Sequence, residues 1–134
     1  MSELMSDIEE RLKSAKALLE SGKGEEARLA LLEILKEDGK NPTALLMLGG
    51  AYFYEKKYAE AELVYERLLR AEPGSGMVSI ALFNCLWKQG RHAEAAEEIR
   101  RFIAEADPVK ERVAIEQYAE ISKAIVEGAG VLDE

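Results

Sequence analysis

The amino-acid sequence repeats with a period of 34 residues. Three alanines, Ala27, Ala61 and Ala95, are separated by this interval, and each follows a glutamate. The same interval relates three short polar segments, which occupy residues 21–24, 55–58 and 89–92. Because a unit of this length cannot bury an apolar face alone, the chain is constrained to an array of stacked units.

Each unit is predicted to contain two amphipathic helices, one on each side of its polar turn. Apolar residues recur at helical spacing before and after each turn. The first helix is expected to begin at Ile8, after a lead at residues 1–7 whose Ser6 can form a capping box with Glu9. The other five helices are predicted at residues 25–36, 43–54, 58–71, 77–88 and 93–106.

The middle unit carries the residues of a known family. Counted from Pro42, its signature positions hold Leu45, Leu48, Gly49, Tyr52, Ala61, Tyr65, Leu68 and Pro73. This pattern resembles the tetratricopeptide repeat, in which Leu-Gly, tyrosine, alanine, an aromatic residue and proline occur at fixed offsets. The third unit departs from it where Phe83 replaces the small residue. The resemblance implies an all-α fold, an α-solenoid of three tetratricopeptide helix–turn–helix repeats at residues 8–41, 42–75 and 76–109.

The residues after the third unit are predicted to form one closing helix rather than a fourth repeat. Asp107 and Pro108 are typical of a helix start. The apolar residues that follow at helical spacing are Ala114, Tyr118, Ile121 and Ile125. The polar outer side is expected to carry Glu111, Glu116, Lys123 and Glu127. Residues 110–127 are therefore interpreted as a C-terminal solvating helix that caps the array, and residues 128–134 as a flexible tail.

The charge of the chain argues against several classes of partner. The formal net charge is −8 and the isoelectric point is near 4.9. Nucleic acid and anionic membranes both favour basic proteins, so neither is expected as a partner. The sequence has no signal-peptide pattern and no apolar stretch long enough for a membrane span, so a cytoplasmic location is expected.

The sequence shows no pattern that indicates catalysis. Cys85 is the single cysteine and is expected to be a small buried residue of the third unit. His92 is the single histidine and falls at the turn of the third unit, where packing or solvation is the expected role. Neither a phosphate-binding loop nor a dinucleotide-binding glycine pattern is present. We therefore expect no enzyme activity, no metal and no cofactor.

The resemblance implies a concave groove lined by the first helix of each unit. Carried over residue by residue, the partner-binding positions are Leu12, Lys16, Leu19, Leu46, Met47, Gly50, Phe53, Tyr54, Met77, Ile80, Asn84, Trp87 and Lys88. The lining is rich in aromatic and methionine side chains, which adaptable binding surfaces favour. Phe53, Tyr54 and Trp87 are the expected anchors, and Lys16 and Lys88 are expected to orient a carboxylate at the rim.

One subclass of the family is disfavoured. Members that clamp the C-terminal carboxylate of large heat-shock chaperones use five groove residues. These are a lysine and then an asparagine in the first unit, an asparagine in the second, and a lysine and then an arginine in the third. Those positions hold Leu12, Lys16, Met47, Met77 and Ala81, none of which matches. A different ligand is therefore expected.

The function expected from the sequence is that of a non-catalytic protein–protein interaction scaffold. It would bind an apolar peptide or helix of another protein in the groove, as a small chaperone or adaptor. The chain resembles the small acidic tetratricopeptide chaperones of bacterial secretion systems in size, charge and groove. The alternative is a structural protein whose groove or capping helix makes a homo-oligomer. The sequence leaves open whether the capping helix or the N-terminal lead covers the groove.

Overall fold

A computed structural model describes residues 2–128 of the chain, with side chains from residue 7 onward. Within this range the chain forms helices joined by short turns, and the described residues contain no strand. The helices are α1 (Ser2–Glu20), α2 (Gly24–Glu37), α3 (Pro42–Tyr54), α4 (Tyr58–Ala71), α5 (Gly76–Lys88), α6 (His92–Glu105) and α7 (Arg112–Glu127). The predicted all-α solenoid is confirmed, and the predicted bounds of α2 to α6 are each within one residue.

Both ends of the array differ from the prediction. Helix α1 begins at Ser2 rather than at Ile8, so the expected lead over residues 1–7 is wrong for its described part. Residues 2–7 contain no proline or glycine, and acidic residues near a helix start are favourable, so nothing stops the helix from extending. The side chain of Ser6, and the tail beyond Gly128, lie outside the described residues.

Helix α7 begins at Arg112, a few residues later than expected. The carboxylate of Asp107 accepts hydrogen bonds from the backbone N–H groups of Val109 and Lys110, at 2.9 and 3.1 Å. These bonds hold the pKa of Asp107 below its usual value. Asp107 therefore caps the turn that precedes α7 instead of the helix itself.

The helices pack in the order of the chain. Each of α1 to α6 packs against its sequence neighbour, and α7 returns to pack against α5. The alanines of the 34-residue period, Ala27, Ala61 and Ala95, have no exposed surface. A Cβ placed on Gly49 would lie 2.6 Å from the ring of Tyr65, so glycine permits the close helix approach in the second repeat.

An arginine contact repeats with the same period as the sequence. Arg67 donates a hydrogen bond to the backbone carbonyl of Gly39 at 2.6 Å. Arg101 and Pro73 are the equivalent residues 34 positions later in the chain, and Arg101 donates a hydrogen bond to the backbone carbonyl of Pro73 at 2.8 Å. Each bond joins the second helix of one repeat to the end of the preceding repeat. These two arginines therefore fix the stacking of successive units through the same geometry.

A buried polar network attaches α7 to the third repeat. The Ser79 hydroxyl donates to a carboxylate oxygen of Glu98 at 2.6 Å and lies 2.7 Å from the hydroxyl of Tyr118. Since Ser79 has one proton to donate, Tyr118 is the donor to Ser79. Arg101 also donates two hydrogen bonds of 2.7 Å to Glu98. Both oxygens of the buried Glu98 carboxylate thus accept hydrogen bonds, which is the condition for stable burial of a charge.

Candidate functional site

The thirteen residues predicted to line the groove are all accessible, although to different degrees. Six are exposed, namely Lys16, Gly50, Tyr54, Met77, Asn84 and Lys88. Seven are half-buried, namely Leu12, Leu19, Leu46, Met47, Phe53, Ile80 and Trp87. We use "the groove" for the surface formed by these residues of α1, α3 and α5.

A first cavity lies between α3 and α5. It has a volume of about 290 Å³ and is lined by Gly50, Phe53, Tyr54, Tyr65, Ala81 and Asn84. A Cβ on Gly50 would meet nothing within 4 Å, so the missing side chain leaves this cavity open. Tyr54 is 87% exposed, while the ring of Phe53 packs edge-on against Tyr58 with centroids 5.1 Å apart. We call this space the α3–α5 cavity.

The inner surface of the α3–α5 cavity includes the buried side chain of Tyr65. Burial, with a smaller contribution from Cys85, raises the pKa of Tyr65 to about 12. The phenol is therefore neutral at physiological pH. The cavity combines an uncharged interior with the two aromatic side chains of Phe53 and Tyr54, which suits an apolar side chain of a ligand.

A second cavity lies between α5 and α7. It has a volume of about 420 Å³ and is lined by Ile80, Asn84, Val113, Glu116, Gln117, Glu120 and Ile121. Asn84 lines both cavities, so they adjoin at this residue. We call this space the α5–α7 cavity. The predicted capping helix therefore lines a cavity together with the predicted groove residues Ile80 and Asn84.

The structure brings only some of the predicted residues together. Gly50, Phe53, Tyr54, Ile80 and Asn84 line the two adjoining cavities. The predicted residues that line neither cavity are Leu12, Lys16, Leu19, Leu46, Met47, Met77, Trp87 and Lys88. The two cavities therefore involve predicted residues of α3 and α5 and none of the three from α1.

Trp87 differs from the other two predicted anchors because it already packs within the chain. Its ring stacks on Phe83 with centroids 5.6 Å apart and lies 4.0 Å from the ring centroid of His92. Tyr54, in contrast, is almost fully exposed. Trp87 thus supports the turn between α5 and α6. His92 packs on Trp87 while remaining exposed, and packing was one of the two roles, packing or solvation, that the sequence analysis expected.

Five residues of α7 were missed as part of the site, namely Val113, Glu116, Gln117, Glu120 and Ile121. The polar side expected for α7 is exposed at Glu116, Lys123 and Glu127, although Glu116, at 69% exposure, also lines the α5–α7 cavity. Glu111 differs, because it is half-buried and accepts a hydrogen bond of 3.0 Å from the backbone N–H of Gly76. The available signal for the five cavity residues was their spacing along the chain, which places them on one face of the helix.

The single cysteine has no reactive character. Cys85 is fully buried. Burial, with a smaller contribution from Glu62, raises the pKa of its thiol to about 12, so the reactive thiolate is not populated at neutral pH. No group of three or more potential metal ligands occurs among the described residues. In the same part of the chain, none of the helices combines the length and apolar character that crossing a membrane requires.

Comparison of the chain with models of protein families supports the helical-repeat fold. Two family models described as tetratricopeptide repeat match the chain, one over residues 12–76 and the other over residues 52–114. The two matches together include the second and third repeats completely and most of the first. The chain therefore belongs to the tetratricopeptide repeat family. No curated protein sequence matches it.

Several solved structures share the fold. The Yersinia enterocolitica type III secretion chaperone SycD, in complex with a peptide of the translocator YopD, has a TM-score of 0.78 at 19% identity, covering 90% of this chain and 92% of that chain. An alternative dimer of SycD has a TM-score of 0.68 at 19% identity, with coverages of 96% and 92%. The first tetratricopeptide domain of Spaghetti (RPAP3), bound to the HSP90 peptide SRMEEVD, has a TM-score of 0.70 at 20% identity, with coverages of 89% and 95%.

Proposed function

We propose that this protein is a non-catalytic scaffold that holds a short apolar segment of another protein in the groove. The observation that carries the proposal is the pair of adjoining cavities, which have apolar surfaces and are open to solvent. In the α3–α5 cavity, the ring of Tyr54 is 87% exposed and lines the same space as the half-buried ring of Phe53. Aromatic side chains of this kind are enriched at binding sites.

The structural relatives support this proposal. The SycD and RPAP3 structures each contain a bound peptide, from YopD and HSP90 respectively. By analogy, this chain is a chaperone or adaptor of the cytoplasm whose partner is a protein rather than a nucleic acid or a membrane. A carboxylate-clamped peptide of the HSP90 kind does not fit, because the apolar side chains of Leu12, Met47 and Met77 occupy clamp positions.

A capture experiment with matched variants tests the proposal. Gly50→Glu with Tyr54→Glu places two carboxylates in the α3–α5 cavity without a clash at Gly50. The matched control is Leu29→Glu with Leu63→Glu, since these leucines are 56% and 63% exposed on second helices. We expect a partner from the native extract to be retained by the wild type and the control and lost by the groove variant. Equal retention by all three folded proteins would reject the groove as the site.

Self-association is the second candidate, and one comparison within the chain favours it. Leu35, Leu69 and Ile103 occupy the same position of successive repeats. Leu69 is buried and Leu35 half-buried, whereas Ile103 is 46% exposed. The third repeat therefore retains an exposed apolar side chain at this position, and Val109, which follows α6 in the chain, is 85% exposed. Light scattering over a range of concentrations tests this candidate, because a strictly monomeric protein would exclude it.

A further inference from the structure

The α5–α7 cavity has a chemical composition different from that of the α3–α5 cavity. Ile80 and Ile121 are half-buried and provide apolar surface. Glu116 and Glu120 line the same space, and they are one helical turn apart on α7. A ligand group that fills this cavity must therefore satisfy an apolar surface and two carboxylates at once.

The carboxylates are available for such a ligand. Glu116 has an ion-pair contact with Arg112 at 3.9 Å, and both side chains are mostly exposed, at 69% and 77%. A contact of this kind contributes little free energy, so an incoming cation can replace it. Lys123 also lies on α7, one turn after Glu120, and it does not line the cavity.

The connection between the cavities determines the arrangement of the ligand. Asn84 is exposed where the two cavities adjoin, and its amide can both donate and accept hydrogen bonds with a peptide backbone. An apolar side chain on one side of this point would enter the α3–α5 cavity beside Phe53 and Tyr54. A long cationic side chain on the other side would lay its methylene groups over Ile80 and Ile121 and extend its charge to the glutamates.

We propose that the α5–α7 cavity is a pocket for lysine or arginine, so that the groove selects segments in which an apolar or aromatic side chain lies close to a basic one. This inference rests on the proposed function and names the chemistry of its partner. The net charge of −8 acts in the same direction, since it attracts basic segments to the protein. The capping helix thereby becomes the element that determines specificity.

A displayed library of random peptides tests the proposal with three folded proteins. They are the wild type, the pocket variant Glu116→Lys with Glu120→Lys, and the control Glu26→Lys with Glu60→Lys. The control changes the net charge equally, at exposed positions of α2 and α4. We expect the wild type and the control to enrich peptides with lysine or arginine near an apolar residue. The pocket variant is expected to lose this preference or to enrich aspartate and glutamate.

Synthetic copies of an enriched peptide measure how much its basic residue contributes to the binding affinity. Replacing its basic residue with glutamine is expected to weaken binding to the wild type by about tenfold, and to change binding to the pocket variant little. Apolar peptides without a basic preference, or a preference that the pocket variant retains, would overturn the inference while leaving the groove intact. Peptides enriched equally by the wild type and by the Gly50→Glu, Tyr54→Glu variant, or no enrichment at all, would reject the groove and the inference together.

Discussion

The second and third repeats are covered by their next helix in different ways. Over the second repeat, the apolar side chain of Val78 on α5 is buried in the same core as Leu45 and Leu68. Over the third repeat, Tyr118 of α7 is almost completely buried and reaches Ser79, which occupies the repeat position of Leu45. The loss of an apolar side chain at Ser79 is thus compensated by the tyrosine of the capping helix.

This difference indicates what distinguishes a repeat from its cap. Successive repeats pack through an apolar core, and the arginine bonds to Gly39 and Pro73 recur where one repeat meets the next. The capping helix α7 instead depends on a specific polar and aromatic fit to the third repeat. A Cβ on Gly76 would collide with Ala114 and Glu111, so α7 lies directly against the start of α5. The placement of the α5–α7 cavity depends on this fit.

The largest expected effect is that of removing the tyrosine ring. Tyr118 packs against Phe83 and Phe102, with ring centroids 5.8 and 5.5 Å apart. Tyr118→Ala is expected to reduce the free energy of unfolding by about 3–5 kcal/mol. Urea denaturation followed by circular dichroism measures this change. A loss below about 1 kcal/mol, typical of a surface substitution, would show that α7 does not stabilise the third repeat.

The next largest effect compares the same position in two repeats. Gly76→Ala introduces the Cβ that meets Ala114 and Glu111, so we expect a loss of about 1–3 kcal/mol from overpacking. Pro42 is the equivalent residue of the second repeat and is exposed. Pro42→Ala is expected to cost less than about 1 kcal/mol, mainly through the greater freedom of the unfolded chain. Thermal and urea unfolding measure the loss of stability in each variant. Equal losses in Gly76→Ala and Pro42→Ala would contradict the difference between the two junctions.

The hydrogen bond of Tyr118 is expected to contribute less than its ring. Tyr118→Phe keeps the packing and removes the donor to Ser79, and we expect a loss of about 1 kcal/mol. Ser79→Ala removes the other partner of the bond. A double-mutant cycle in urea should show that the two losses are not additive. Additive losses would mean that the 2.7 Å contact makes no net contribution to stability.

The smallest effect is expected in alkaline solution. Burial raises the pKa of Tyr118 from its ordinary value of 10.0, so the phenolate forms more readily in the unfolded chain. The stability that Tyr118 provides is therefore complete below pH 10 and decreases as the pH rises through the folded pKa. The difference in unfolding free energy between wild type and Tyr118→Phe should be constant at neutral pH and should decrease above pH 10. A difference that increases there would contradict the assigned direction.

The repeat part of the fold could be predicted because its signals are local. Asn41 and Ser75 precede α3 and α5, and each side chain accepts a hydrogen bond from a backbone N–H at the helix start. Gly49 and the three alanines of the 34-residue period are also local signals, because they mark where two helices approach closely. For these reasons the predicted bounds of five helices were accurate to one residue. At residues 2–7, where no breaking residue stands, the expected boundary was wrong.

The site was harder to predict because it depends on contacts between distant residues. The family positions predicted Gly50, Phe53, Tyr54 and Asn84 as groove residues, and the structure places these four around the α3–α5 cavity. The contribution of α7 follows from the bond between Tyr118 and Ser79, whose separation of 39 residues does not match the 34-residue period. The packing of Trp87 against two other rings likewise depends on the turn that places His92 beside it.

The most direct test of the account is a map of amide chemical shifts in the isotope-labelled protein, measured with a peptide selected from the displayed library. We predict that the largest shifts occur at Gly50, Phe53 and Asn84, and on α7 at Glu120 and Ile121. This result would place the ligand in the two adjoining cavities. Shifts concentrated on α2, α4 and α6, with the groove residues unchanged, would contradict the account.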